Sequence, residues 1–304
     1  MPVMSTERAV IGHPQLQSVV MPYVLTKDLK TLRQISKATK DGADKYIREE
    51  VVEYLLKGVE HVASPQIIEI GKIFQRLKFN EHPDFVDVVL PYVTPDSTLN
   101  DELRGNALIR IGFLMHPRMI NPDSKLKIGP QEVNQLECYE KGLSLNPRNQ
   151  VAWCAAGATM MKVDDTITVN GEKCNRIACF LKATLLDPTK FIGWYRLGSC
   201  MSADDEVEVN GEKYKRYACM HKAAEIEPRV GAVWTWLGFL ADSATTITVR
   251  DTKYSKKECY IQAAEVDPAY KDWNYFLSRE LTEGESVQIN GKTWVRKGEE
   301  MVLA

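Results

Sequence analysis

The sequence predicts a mainly α-helical chain in which helix pairs stack side by side, with a β-hairpin inserted between the two helices of each pair. A period of about forty residues carries this prediction, and it is marked by Cys138, Cys179, Cys219 and Cys259. Prolines and tryptophans follow the same period at Pro147, Pro188, Pro228, Pro268, Trp153, Trp194 and Trp234. Self-similarity at this spacing is typical of stacked supersecondary units, none of which buries its apolar face alone.

Residues 1–125 do not share the forty-residue period, and we predict a separate all-helical N-terminal region there. Breaks at proline, glycine or polar residues delimit its predicted helices, which are 28–41, 45–61, 65–77, 83–93 and 100–115. The repeated part begins at about residue 126. The sequence therefore predicts two regions, 1–125 and 126–304.

Each copy of the period contains one helix that ends at a proline and another that carries a tryptophan. In the copy A-C-F-L-K-A-T-L-L-D-P from Ala178, Phe180 and Ala183 share a helix face, and the proline stops the helix. Trp194 follows that proline after six residues, and Gly198 lies in the middle of the second helix. Such a glycine costs ~1 kcal/mol against alanine, so we expect a neighbouring helix to approach closely there.

Strand-like segments stand between the two helices of each unit. T-I-T-V-N-G-E-K-C from Thr166, E-V-E-V-N-G-E-K-Y from Glu206 and V-Q-I-N-G-K-T-W from Val287 place Asn-Gly between alternating apolar residues, which indicates a type I′ hairpin. The copy from Ile247 has Arg250 and Asp251 instead, which predicts a poorer turn. A lone hairpin is marginal in water, so we expect the hairpins to lean on one another or on the helices. They are either rigid spacers or a second binding edge.

The pattern W-x2-L-G, followed by an aromatic and a small residue and then a terminal proline, resembles the tetratricopeptide repeat over 126–304. Trp194, Leu197 and Gly198 show it, as do Trp234 and its neighbours. The period of about forty exceeds the usual 34 because of the hairpins. The resemblance implies a right-handed α-solenoid whose first helices line a groove that binds protein.

Matching the groove positions of the family onto this chain gives a predicted partner groove that is apolar and aromatic. Its residues are Val151, Cys154, Ala158, Met161, Ile192, Tyr195, Ser199, Ala232, Thr235, Phe239, Tyr275 and Arg279. Cys154 and Ala158 stand where chaperone-binding members have cations, which disfavours that role. A peptide or helix with Leu, Phe or Tyr anchors fits this groove better.

The segment from His13, H-P-Q-L-Q-S-V-V-M-P-Y-V-L-T-K-D-L-K-T-L-R-Q-I-S-K, resembles an F-box. The resemblance implies docking onto a Skp-type adaptor of a cullin ubiquitin ligase. The docking face would consist of Pro14, Leu16, Val20, Tyr23, Leu29, Leu32 and Ile35. However, the segment from His82 echoes the one from His13, and 103–113 resembles a HEAT or armadillo helix, so generic helical repeats are the alternative.

Charge and composition argue against several classes of protein. The net charge of -2 and the sequence pI of about 6.3 give no reason to expect nucleic acid or anionic lipid as the main partner. No run approaches the ~20 apolar residues of a membrane span, and the first eight residues lack the apolar core of a signal peptide. The cytosol, with the nucleus as the alternative, is the expected location.

Neither metal binding nor catalysis is predicted. The seven cysteines and five histidines do not cluster at metal-ligand spacing, so we interpret the periodic cysteines as buried thiols and expect no cofactor. The chain has no phosphate-binding, nucleophile-elbow or zinc-protease motif. The pairs Asp164–Asp165 and Asp204–Asp205 are interpreted as turn residues.

The predicted function is a non-enzymatic scaffold or assembly subunit, and the alternative is an F-box substrate adaptor. After the last hairpin the chain has at most a stub of a second helix. The C-terminal end is therefore expected either to cap itself or to dock another chain, and the sequence leaves both open.

Overall fold

The computed structural model describes residues 99–115, 125–128, 131–162, 164–242 and 244–304. The predicted helices before residue 99 and the F-box-like segment lie outside these residues. Contacts divide the described chain into two compact units, which are treated separately. One holds residues up to 159 together with 167–173, and the other holds 160–166 and 174–304.

The described part of the first unit contains a helix, a hairpin and two further helices. Its elements are α1 (Asp101–Leu114), β1 (Leu126–Ile128), β2 (Gln131–Val133), α2 (Gln135–Leu145) and α3 (Gln150–Thr159). Helix α1 packs on α2, where a side chain at Gly142 would meet the backbone of Gly105 and the side chain of Ile109. This contact joins the two sides of the predicted boundary at 125, so within the described residues the helix–hairpin–helix order already includes α1.

A hairpin of β3 (Thr166–Val169) and β4 (Glu172–Asn175) follows α3, and the second unit continues the same order. Its elements are α4 (Arg176–Leu186), α5 (Phe191–Cys200), β5 (Glu206–Val209), β6 (Glu212–Lys215), α6 (Arg216–Ile226), α7 (Gly231–Leu240), β7 (Ile247–Val249), β8 (Thr252–Tyr254), α8 (Lys256–Val266), α9 (Asp272–Arg279), β9 (Ser286–Ile289), β10 (Lys292–Lys297) and β11 (Glu300–Leu303). Each of its helices packs on the next one along the chain. The described residues are therefore mainly α-helical, with antiparallel hairpins between helices.

The helix pairs approach closely at the glycines of the tryptophan helices. A Cβ at Gly198 would lie 2.9 Å from the Met220 side chain of α6, and one at Gly238 would lie 2.9 Å from the Tyr260 ring of α8. Distances this short do not occur for real Cβ atoms. The sequence prediction that these glycines admit a neighbouring helix is confirmed.

The three tryptophans of the period make the same hydrogen bond. The indole Nε1–H of Trp153 donates to the carbonyl of Pro147 at 2.8 Å. Trp194 donates likewise to Pro188 at 2.8 Å, and Trp234 to Pro228 at 2.6 Å. Each bond ties the tryptophan helix to the turn before it and satisfies a buried donor that would otherwise cost about 1–3 kcal/mol.

The hairpins lean on the helices. Val207, Val209, Ile247 and Val249 point inward and belong to the same apolar core as Trp194 and Trp234. Among the described strands each of the first four hairpins is a separate two-stranded sheet, so no two hairpins pair with each other. Burial of one face explains why elements that are marginal alone persist here.

The turn at Arg250 and Asp251 forms without Asn-Gly. Both residues have positive φ, 47° and 67°, as Asn210 and Gly211 do at 54° and 85°. Arg250 donates from Nε to the carbonyl of Glu225 at 2.7 Å and from a terminal nitrogen to Ile226 at 2.9 Å. These bonds satisfy carbonyls at the end of α6, and they offset the strain of a left-handed arginine.

The last hairpin is completed by a strand rather than a helix. β11 pairs with β10 to give a three-stranded sheet in the order β11-β10-β9. The side chain of Asn274 on α9 donates to the carbonyl of Met301 and accepts from its N–H, both at 2.8 Å. Met301 is buried. At the position where earlier units have a second helix, strand β11 covers α9, which agrees with the expectation of at most a stub of a helix there.

Candidate interaction surface

The predicted groove residues fall in both units. Val151 and Cys154 on α3 are half-buried and Ala158 is exposed. In the second unit Met161 is 81% exposed. The remaining residues lie on α5, α7 and α9: Ile192, Tyr195, Ser199 and Ala232 are half-buried, and Phe239, Tyr275 and Arg279 are exposed.

Thr235 departs from the expected placement. Its side chain is only 2% exposed, and its hydroxyl donates to the carbonyl of Gly231 one turn earlier, at 3.1 Å. The hydroxyl is satisfied within its own helix, so Thr235 offers a partner no surface. The next residue, Trp236, is partly exposed in its place.

A continuous row of aromatic rings crosses α7 and α9. The ring centroids of Trp236 and Phe239 are 5.6 Å apart, those of Phe239 and Phe276 are 5.6 Å apart, and those of Phe276 and Tyr275 are 5.4 Å apart. Phe239 is 48% exposed and Tyr275 is 41% exposed. Large apolar rings are exposed here on adjacent helices. Covering them with another molecule removes apolar surface from water, which favours binding.

Tyr195 extends this row to α5. Its hydroxyl lies near the indole of Trp236 and the carboxylate of Asp272. Partial burial raises the pKa of Tyr195, with the Asp272 charge adding to the effect. The phenol is therefore neutral at physiological pH.

Three arginines stack on the rings of this row. The guanidinium of Arg196 lies 5.8 Å from the Tyr195 ring centroid, that of Arg216 lies 5.2 Å from Trp236, and that of Arg279 lies 4.5 Å from Tyr275. Distances of this size correspond to cation–π contacts. No carboxylate in the described part of the chain comes within ion-pair distance of any of the three.

These side chains are called the aromatic–arginine face. It consists of Tyr195, Arg196, Arg216, Trp236, Phe239, Tyr275, Phe276 and Arg279. Four of its members were absent from the sequence prediction: Arg196, Arg216, Trp236 and Phe276. Arg196, Trp236 and Phe276 each follow a predicted groove position by one residue, which is the signal that could have found them. Arg216 comes from α6 and carries no such signal.

Three cysteines of the second unit are held in their thiol form by burial. Burial raises the pKa of the Cys219 and Cys259 thiols to about 12 and that of Cys200 to about 11, so these sulfurs stay protonated and weakly nucleophilic. Among the described residues, no three His, Cys, Asp or Glu side chains are placed to hold a metal ion.

The second residue of each acidic pair before a hairpin stabilises a turn, as the sequence indicates. A carboxylate oxygen of Asp165 accepts the backbone N–H of Met161 and of Lys162, at 2.9 and 2.8 Å. Asp205 accepts the N–H of Ser202 at 2.6 Å. Their lone pairs stabilise the chain reversal between helix and hairpin.

The predicted adaptor-docking face, Pro14 to Ile35, lies outside the described residues and stays a prediction. Within the described residues, every helix is too short or too polar to cross a membrane. The chain matches no protein-family model, and no curated protein shows significant similarity to it.

Proposed function

We propose that this protein is a non-enzymatic interaction protein, a scaffold or assembly subunit that binds a peptide or helix of a partner protein on the aromatic–arginine face. The observation that carries the proposal is the exposure of Phe239 and Tyr275 within a row of touching rings. Aromatic rings and arginines are the side chains that most often dominate protein interfaces.

The proposal extends to the fold. The repeated Trp-to-Pro hydrogen bonds and the sequential packing of α4 to α9 support a right-handed tetratricopeptide-like solenoid with hairpin insertions. In such a solenoid the tryptophan helices α5, α7 and α9 line one side. The hairpins form the opposite edge, which is a second binding surface in the same proposal.

The energetics favour a partner with apolar anchors. Covering an exposed aromatic side chain gains roughly 25 cal/mol for each Å² of apolar surface removed from water. The rings of Trp236, Phe239, Phe276 and Tyr275 are held in place by their contacts with one another. A preformed surface loses little conformational entropy on binding, so a few anchors suffice for a specific complex.

The test is an affinity capture from a cell extract with mass spectrometry, in which two double variants are compared with the unaltered chain. Phe239→Ser with Tyr275→Ser removes two exposed rings from the face. Leu185→Ser with Leu186→Ser removes two side chains of α4 that are similarly exposed, at 45% and 40%. Far-UV circular dichroism and thermal melts establish that both variants are folded.

The proposal expects a set of partners that the first variant loses and the second retains. Equal recovery of all partners by the two variants would show that the aromatic–arginine face is not the binding surface. Partners lost only with Leu185 and Leu186 would move the interface to α4.

A further inference from the structure

We infer that the occupant of the aromatic–arginine face is an acidic linear segment, in which apolar or aromatic anchors are flanked by Asp or Glu. This inference rests on the proposed function and adds the charge of the partner to it. Its basis is the position of the three arginines relative to the row of rings. Arg196 stands at the α5 end, Arg216 lies over Trp236 of α7, and Arg279 stands at the α9 end.

The stacked arginines are held ready for carboxylates. A guanidinium that lies over a ring still has N–H donors in its own plane, directed away from the ring. Arg216 uses one of them, its Nε–H, on the carbonyl of Gly198 at 3.1 Å, which fixes the orientation of the group. An arginine held in this way loses less rotamer freedom when it forms a bidentate bond to an incoming carboxylate.

Two acidic residues lie close to the face. Glu280 pairs with Lys256 at 3.2 Å, and Asp272 lies beside Tyr270. Neither of them neutralises an arginine of the face. A surface that carries three positive charges on apolar rings, in a chain of net charge -2, is complementary to negative charge from outside.

The same surface is poorly matched to nucleic acid. Proteins that track a single strand combine stacking rings with a groove of many cations along the phosphates. Among the described residues, three arginines lie over the rings, which is fewer cations than a groove that follows a phosphate backbone uses. A peptide, whose few carboxylates can be spaced to match three arginines, is the better fit.

A selection from a library of short random peptides, displayed on phage, tests the inference with the intact protein as bait. The Phe239→Ser/Tyr275→Ser variant serves as the negative bait. We expect the peptides enriched on the unaltered chain to carry aromatic or aliphatic anchors flanked by Asp or Glu. A labelled peptide of that consensus and its Asp→Asn, Glu→Gln copy are then compared by fluorescence polarisation.

The acidic peptide should bind roughly tenfold more tightly than the amidated copy at low salt, and most of that difference should vanish at high salt. Arg196→Gln with Arg279→Gln should lower affinity for the acidic peptide about tenfold and leave the amidated copy unchanged. Lys253→Gln with Lys292→Gln makes the same change of net charge on exposed hairpin residues and should leave both affinities unchanged.

Four other outcomes would overturn the inference, and each has a different meaning. Enrichment of uncharged or basic peptides refutes the acidic occupant and leaves the proposed function standing. No enrichment over the negative bait refutes both. Tighter binding of a single-stranded oligonucleotide assigns the face to nucleic acid, and self-association that is lost in the Phe239→Ser/Tyr275→Ser variant assigns it to a second copy of this chain.

Discussion

Helices α7 and α9 follow the same forty-residue register, yet they pack against different kinds of element. At one position α7 has Gly238, which admits the Tyr260 ring of helix α8. The equivalent residue in α9 is Ser278, whose hydroxyl lies 2.8 Å from the carbonyl of Glu299, just before strand β11. Glycine at this position therefore faces a neighbouring helix in α7, whereas serine at the same position faces the segment before a strand in α9.

The tryptophans of the two helices differ as well. Trp234 follows Pro228 by six residues and donates to its carbonyl, whereas Trp273 follows Pro268 by five. The buried indole N–H of Trp273 finds no acceptor in the described part of the chain. Trp273 still contacts Trp294 of its hairpin at 5.3 Å, as Trp234 contacts Tyr254 at 4.8 Å. The ring contact survives the shift of one residue, and the hydrogen bond does not.

Replacing each tryptophan by phenylalanine should give the largest difference between the helices. Trp234→Phe leaves the Pro228 carbonyl without its partner and opens a cavity, so the free energy of unfolding should fall by about 3 kcal/mol. Trp273→Phe opens a similar cavity but removes an unpaired donor, so the loss should be smaller by about 1–2 kcal/mol. Urea unfolding followed by far-UV circular dichroism measures both. Equal losses would show that the Trp234 hydrogen bond contributes nothing.

Asn274→Ala should lower the free energy of unfolding by about 2 kcal/mol, because it leaves the buried N–H and carbonyl of Met301 without partners. Hydrogen exchange at β11 should accelerate. Gln288→Ala, on the exposed face of the same sheet, is the control and should change stability by less than ~0.5 kcal/mol. Unchanged exchange at Met301 would mean that β10 alone holds β11.

Substitution of the equivalent small residues, Gly238 in α7 and Ser278 in α9, should have the next largest effect. Gly238→Ala places a methyl group 2.9 Å from the Tyr260 ring and 3.2 Å from Cβ of Cys259, which should cost about 1–2 kcal/mol. Ser278→Gly should cost a similar amount through the added backbone freedom and the lost hydrogen bond of its hydroxyl, which lies 2.8 Å from the carbonyls of both Tyr275 and Glu299. Thermal unfolding of the two variants checks this, and a neutral Gly238→Ala would show that α7 and α8 have room to separate.

The hairpins that follow α7 and α9 give the smallest expected effect. Asp251→Gly supplies the glycine that the later hairpin has at Gly291 and relieves a φ of +67°, so stability should rise by about 0.5–1 kcal/mol. Gly291→Asp should lower it by a similar amount, since φ is +71° and no atom crowds the site. Differential scanning calorimetry of both variants would reveal opposite shifts in Tm, and shifts of the same sign would contradict the account.

Most of the fold could be predicted from residues whose structural role depends only on their neighbours in the sequence. Asn-Gly at 170, 210 and 290 marks three hairpins, because few other pairs adopt two positive φ values without strain. The hairpin β1–β2 was missed, since the sequence between its strands has no Asn-Gly. Without that hairpin, α1 could not be recognised as the partner of α2 and was assigned to the N-terminal region.

Features that depend on distant residues were not predictable. The segment 300–303 is short and of mixed polarity, and β11 forms there because Asn274, more than twenty residues earlier, binds its backbone. In the candidate site, the match to the groove positions of the resembled family favoured Thr235 over Trp236. Thr235 is instead buried with its hydroxyl bonded to Gly231, and Trp236 packs against Phe239. Which of the two residues is exposed depends on how α7 is turned against its neighbouring helices.

The pairing of Asn274 with Met301 has a consequence for self-association. A strand at the border of a sheet offers unsatisfied amides and carbonyls to any passing extended segment. At Met301 the outward-facing amide and carbonyl are both bonded to the side chain of Asn274. Another strand cannot pair with them there. The carboxamide thus acts as a terminator of sheet growth, and protein lacking it should be more prone to form fibrils.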